Sequence, residues 1–231
     1  MLTAAAVCPH PPLLVPQGTG GATGPGDTEL AALRDACEAA VSTLIAARPG
    51  LLIVVGGAEH TRRYPPDAAG TLADYGVPFA IGDTPPVLPL SLTVGRWLAS
   101  GHDAVLQAVA ADATPGQCLL LGAELAGLAP SVAILAMGDG PARRARRAPG
   151  AVDADADRYE QQVADALAAA DARLLAALDP RHDDELFVAG RAAWQVLAGS
   201  ALAGAGPRFT AHLRYAKAPF EVSYFVATWV R

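Results

Sequence analysis

Three side chains capable of metal or proton chemistry each follow a hydrophobic run. His10 comes just after residues 3–8, His60 closes Gly56-Gly57-Ala58-Glu59-His60 after Leu51-Leu52-Ile53-Val54-Val55, and Asp139 lies in Met137-Gly138-Asp139-Gly140 after residues 131–137. Short apolar runs bounded by Pro or Gly read as buried strands. All three groups are therefore expected at carboxyl ends of strands, the edge at which open α/β sheets bind ligands. Two imidazoles and a carboxylate make a facial set that leaves open positions on Fe(II) for a substrate and dioxygen. Zn or an empty site are the alternatives to Fe(II), since two loop histidines are also an ordinary finding in a metal-free protein. His102 after Gly101, His182 in an acidic turn and His212 within a strand read as surface or structural histidines.

The elements that must position these groups alternate. Between the first two strands, Leu30, Leu33, Cys37, Val41, Leu44 and Ile45 recur at helical spacing, with Asp27 or Thr28 as cap and Arg48-Pro49-Gly50 as stop. A strand-helix-strand unit of this kind predicts parallel strands. Residues 90–99 read as a helix, 104–109 as a strand, 116–128 as a helix and 131–137 as a third buried strand. Residues 153–178 then read as one long amphipathic helix and 185–202 as another. Two alternating segments, 209–215 and 221–230, close the chain as a hairpin through 216–220. The expectation is a single α/β domain over residues 1–231, with a central, mainly parallel sheet flanked by helices and a C-terminal β-hairpin. The loops 9–27 and 58–75 exceed ordinary connections and are candidates for function.

Composition narrows the classes. At 231 residues and 52% hydrophobic content the chain can bury a sizeable core. Its apolar runs fall far short of the roughly 20 residues that span a bilayer, and the N-terminus lacks a basic n-region, so no membrane partner and a cytoplasmic location are expected. Three scattered cysteines, Cys8, Cys37 and Cys118, fit a reducing compartment. A net charge of -6 argues against nucleic acid as a partner. The one basic cluster, Arg143-Arg144-Ala145-Arg146-Arg147, reads either as a solvated loop or as a clamp in which Arg143 and Arg144 hold an anionic substrate.

Several motifs fail. Residues 19–26 spell a TGxxxGxG pattern before a helix, but Pro25 removes a donor and the only lysine, Lys217, has Leu213 where a YxxxK pair needs tyrosine. The same lone lysine excludes a GxxxxGK[ST] phosphate loop. There is no GxSxG elbow, and Cys8 at a strand end reads as a small core residue rather than a nucleophile.

At Cys8-Pro9-His10-Pro11-Pro12-Leu13-Leu14-Val15-Pro16 the chain resembles the class III extradiol ring-cleavage dioxygenases, the superfamily of the catalytic B subunit of protocatechuate 4,5-dioxygenase, with Memo-like proteins as more distant relatives. The resemblance extends to Gly57-Ala58-Glu59-His60, to Met137-Gly138-Asp139-Gly140 and to Ala218-Pro219-Phe220-Glu221-Val222-Ser223-Tyr224. It implies a non-haem Fe(II) held by two histidines and a glutamate, with His10 and His60 as the histidines and Glu221 as the matching carboxylate, and a small catechol-like aromatic as substrate. It also exposes a departure. Where the family's Gly-Asp-x-Ser-His pattern supplies a histidine that moves a proton on the catechol, this chain reads Gly138-Asp139-Gly140-Pro141-Ala142. General acid–base assistance is worth about 10²- to 10⁴-fold, so ring cleavage would be slow unless Asp139 or His212 substitutes. Three readings follow: an iron-dependent dioxygenase, a catalytically silent member acting as a binding or scaffold protein, or a metal-dependent hydrolase in which Asp139 positions water. A homo-oligomer is compatible with each.

Overall fold

The computed structural model describes residues 1–16, 25–142, 154–204 and 208–231. Strands β1 (Leu2–Cys8), β2 (Leu51–Ala58), β6 (Ala104–Ala110) and β7 (Val132–Met137) lie parallel; β3 (Arg62–Tyr64), β8 (Thr210–Lys217) and β9 (Tyr224–Val230) are antiparallel to their neighbours. Together they form a seven-stranded sheet in the order β3-β6-β2-β7-β1-β9-β8. The short strands β4 (Gly70–Thr71) and β5 (Ala80–Ile81) pair separately. The chain is thus an α/β fold with a mostly parallel central sheet and a C-terminal hairpin.

Helices cover both faces, which is why β2 and β7 are apolar at consecutive positions rather than alternate ones. Leu52, Val54, Ala133, Leu135 and Met137 face α1 (Pro25–Ala46) and α2 (Leu90–Leu98), packing on Leu33, Cys37, Leu44 and Leu92. Ile53, Val55, Val132, Ile134 and Ala136 face the other layer, built from α3 (Pro115–Ala126), α4 (Ala154–Ala169), α5 (Ala172–Ala176), α6 (Arg181–Leu186) and α7 (Arg191–Leu202). β8, at the sheet edge, is mostly exposed or half-buried. Among the described residues no helix is long and apolar enough to cross a membrane.

Helix α3 starts on a complete capping box, with Thr114 and Gln117 satisfying each other's backbone N–H groups and Pro115 in the first turn. It packs on α7 at near-backbone contact, because a Cβ at Gly122 would come within 2.1 Å of the Val196 carbonyl and one at Gly199 within 2.3 Å of the Leu119 carbonyl. Ser200 Oγ crosses this seam and donates to the Gly122 carbonyl at 2.7 Å.

Three local expectations are corrected. The helix expected over 153–178 breaks at Ala170, which has φ 50°, and restarts as α5 on Asp171, whose carboxylate accepts the Arg173 and Leu174 N–H groups. The helix expected over 185–202 ends instead with Phe187 at φ 55° and resumes at Arg191. β8 runs through Lys217 and β9 starts at Tyr224, so the hairpin connection is 218–223 rather than 216–220. The loop 58–75 also holds β3, β4 and a 3-10 turn, Ala73–Tyr75.

Candidate functional site at the carboxyl edge of the sheet

β1 and β7 end together, Cys8 opposite Met137, and the ladder continues one step as the Gly138 N–H donates to the Cys8 carbonyl at 2.9 Å. His10 and Asp139 therefore emerge side by side. The His10 backbone N–H donates to Asp139 Oδ1 at 2.8 Å. The His10 imidazole is buried, with 7% of the residue exposed, and its Nδ1 lies 3.7 Å from the same oxygen. That distance is too long for a direct hydrogen bond. Nδ1 is sealed from solvent with no hydrogen-bond partner, a costly state for a buried polar atom.

The backbone of the Asp139 loop is held by two segments, residues 186–189 and the hairpin turn at Ser223. Its own carbonyl accepts the Ala189 N–H at 3.1 Å, and the Gly140 N–H donates to the Ser223 carbonyl at 2.8 Å. The Ser223 N–H returns to the Pro141 carbonyl at 3.0 Å, and the Ala142 N–H donates to the Leu186 carbonyl at 2.9 Å. Gly138 and Gly140 are required by close approach: a Cβ at Gly138 would lie 2.5 Å from Gly190 Cα, and one at Gly140 2.9 Å from the Ser223 carbonyl.

Two groups join this site that the motifs did not single out. Tyr224 is buried, and burial followed by the negative charge of Asp139 pushes its phenol well above the usual value. Its signal was its place as the first inward residue of the last strand, directly after the Ser223 seam. Cys37 on α1 sits against Cys8; the hydrogen bond between the two thiols, then burial, raises the Cys37 thiol well above its ordinary range. Both cysteines are fully buried, and a protonated buried thiol is a poor nucleophile. Cys8 therefore packs in the core.

The remaining candidates stand differently. His60 follows β2 at the same edge, but its side chain is 76% exposed and lies 3.7 Å from the carboxylate of exposed Glu59. Glu221 is exposed in the hairpin turn at φ 61°, an unfavourable conformation for a residue with a Cβ. His212 is exposed on the edge strand, paired with Thr228, which in turn pairs with Ala6. It is thus level with the body of β1 rather than with its end. Arg143 and Arg144 lie outside the described residues, as does most of the loop 19–26. Among the described residues no group of three or more His, Cys, Asp or Glu is placed to hold a metal ion. His10 has an unpartnered Nδ1, but it is sealed from solvent, and His60 and Glu221 as placed do not complete a set with it.

No family model matches the chain, and no curated protein matches it. A structural likeness is found to the crystal structure of the uncharacterized protein JW3007 from Escherichia coli K12, at 14% sequence identity and a TM-score of 0.50, covering 99% of this chain and 100% of that one. At that identity the likeness concerns the fold alone.

Proposed function

We propose that this chain is a binding member of the class III extradiol dioxygenase superfamily, which holds a small catechol-like aromatic at the carboxyl edge of its sheet through His10 and Asp139 and does not cleave the ring efficiently. The observation that carries this reading is the buried, unpartnered Nδ1 of His10 beside a carboxylate that accepts the His10 backbone N–H, on a loop bonded to residues 186–189 and to Ser223. A catechol has two adjacent hydroxyls, each able to donate to Asp139 while accepting from an imidazole N–H. In this reading His10 and Asp139 bind and orient, Tyr224 and Cys8 wall the site on the core side, and no residue moves the second catechol proton. Ala142 stands where the base would be.

A second reading, an Fe(II)-dependent dioxygenase, is favoured by the placement of His10 and His60 after strands that end at the same edge. Bound iron would supply Lewis acidity and oxygen activation there. Metal analysis of protein purified anaerobically separates the two. The binding reading expects metal content, whatever its level, to be the same in His60→Ala and Glu221→Gln as in the unmodified chain. About one equivalent of iron or zinc per chain, lost in both His10→Ala and His60→Ala, would establish the second reading instead.

A further inference from the structure

At the opposite end of β1 from His10, the Arg231 backbone N–H pairs with the Thr3 carbonyl, and beside this junction the end of α4, the start of α5, the end of α7 and the two residues before β8 line a cavity of about 560 Å³. Three arginines, Arg173, Arg208 and Arg231, line it together with Phe209 and Leu202. The one acid in the lining, Asp171, is engaged in capping α5 through the Arg173 and Leu174 N–H groups. In a chain of net charge -6 this is a local excess of positive charge.

The Arg231 guanidinium carbon lies 4.2 Å over the Phe209 ring, and Phe209 in turn packs on Trp229 at 5.9 Å. Its Nε and Nη1 are sealed from solvent with no hydrogen-bond partner. Burial lowers its pKa. Three other described arginines pair with acids, Arg158 with Asp155, Arg181 with Asp179 and Arg191 with Asp183, and Arg34 and Arg96 donate to backbone carbonyls. The sealed Nε and Nη1 of Arg231 leave Nη2 as the guanidinium nitrogen that can donate to an anion in the cavity.

We infer that this cavity binds a small organic anion, a phosphate ester or carboxylate, whose charged head meets Arg231, Arg208 and Arg173 and whose apolar part lies along Phe209 and Leu202. The site is separate from the His10 edge and independent of its chemistry. The test is calorimetric titration with phenyl phosphate, benzoate and inorganic phosphate at constant ionic strength, with Trp229 fluorescence as a second readout. Saturable one-to-one binding is expected for phenyl phosphate or benzoate, tighter than for inorganic phosphate, and the preferred head group identifies the source.

Arg173→Gln and Arg208→Gln replace exposed side chains, so the fold should survive. Each should weaken binding by about tenfold, the scale of one charge-assisted hydrogen bond. Arg231→Gln should weaken it further, and Arg158→Gln, near the start of α4 whereas the cavity meets its end, should leave it unchanged. Absence of saturable binding to all three anions, or an equal loss in Arg158→Gln, would overturn the inference.

Discussion

Replacing Arg191 with Ala should destabilise the chain by about 3–5 kcal/mol, because the change removes a fully buried guanidinium together with its ion pair to the half-buried Asp183 and its bonds to three further acceptors. Arg191 is 1% exposed at the first turn of α7, where a cation opposes the helix dipole. Four acceptors outweigh that cost. Nε donates to Asp183 at 2.5 Å, Nη1 to the Ala113 carbonyl at 2.7 Å and to Gln195 Oε1 at 2.8 Å, and Nη2 to the Ala111 carbonyl at 2.5 Å. Gln195 then passes the network to the Ala176 and Leu178 carbonyls. One side chain thus ties the loop after β6 to α6 and α7 and to the segment that follows α5. A fall in Tm of roughly 6–20 °C is expected for a domain of this size, measured by calorimetry. Arg191→Lys should recover little, since a point charge cannot span acceptors on opposite sides of a planar fork. A fall of a degree or less in Arg191→Ala would mean the network contributes nothing net.

The second large effect concerns turnover. Supplied with Fe(II) anaerobically and then with protocatechuate in air, the unmodified chain should open the ring about 10²- to 10⁴-fold more slowly than a site with a base, or not measurably. The reason is local. Ala142 cannot accept a proton, and its backbone is pinned through the Leu186 carbonyl while Pro141 is pinned through Ser223. His212 cannot stand in, being exposed on β8 level with Ala6 rather than with the strand ends. Ala142→His should raise any residual rate, read as oxygen uptake and as the ring-opened chromophore. Rapid cleavage by the unmodified chain would assign the proton to Asp139 and refute the binding reading.

How far the sequence could be read depended on whether a single physical signal decided each element. β2 and β7 are covered on both faces, so their unbroken apolar runs were unambiguous, and so was the amphipathic stripe of α1. The α4–α5 break was hidden because Ala169, Ala170 and Ala172 all suit a helix, and only the capping preference of Asp171 marked it. His10 and Asp139 were placed correctly because their flanking strands are neighbours in register. For His60, sequence position located the edge but not the direction of the side chain, since the strand period is two and a one-residue change in backbone course turns a side chain outward. Arg191 gave no warning, because an arginine between glycine and alanine reads as surface until its four acceptors are seen.

The His10–Asp139 pair is tested most directly by anaerobic calorimetric titration of protocatechuate into the unmodified chain and into His10→Ala, Asp139→Asn and His60→Ala. Saturable binding to the unmodified chain is predicted, weakened by about tenfold or more in His10→Ala and in Asp139→Asn, each of which removes one hydrogen-bond partner, and unchanged in His60→Ala. Binding that survives Asp139→Asn intact, or that disappears with His60→Ala, would contradict the account.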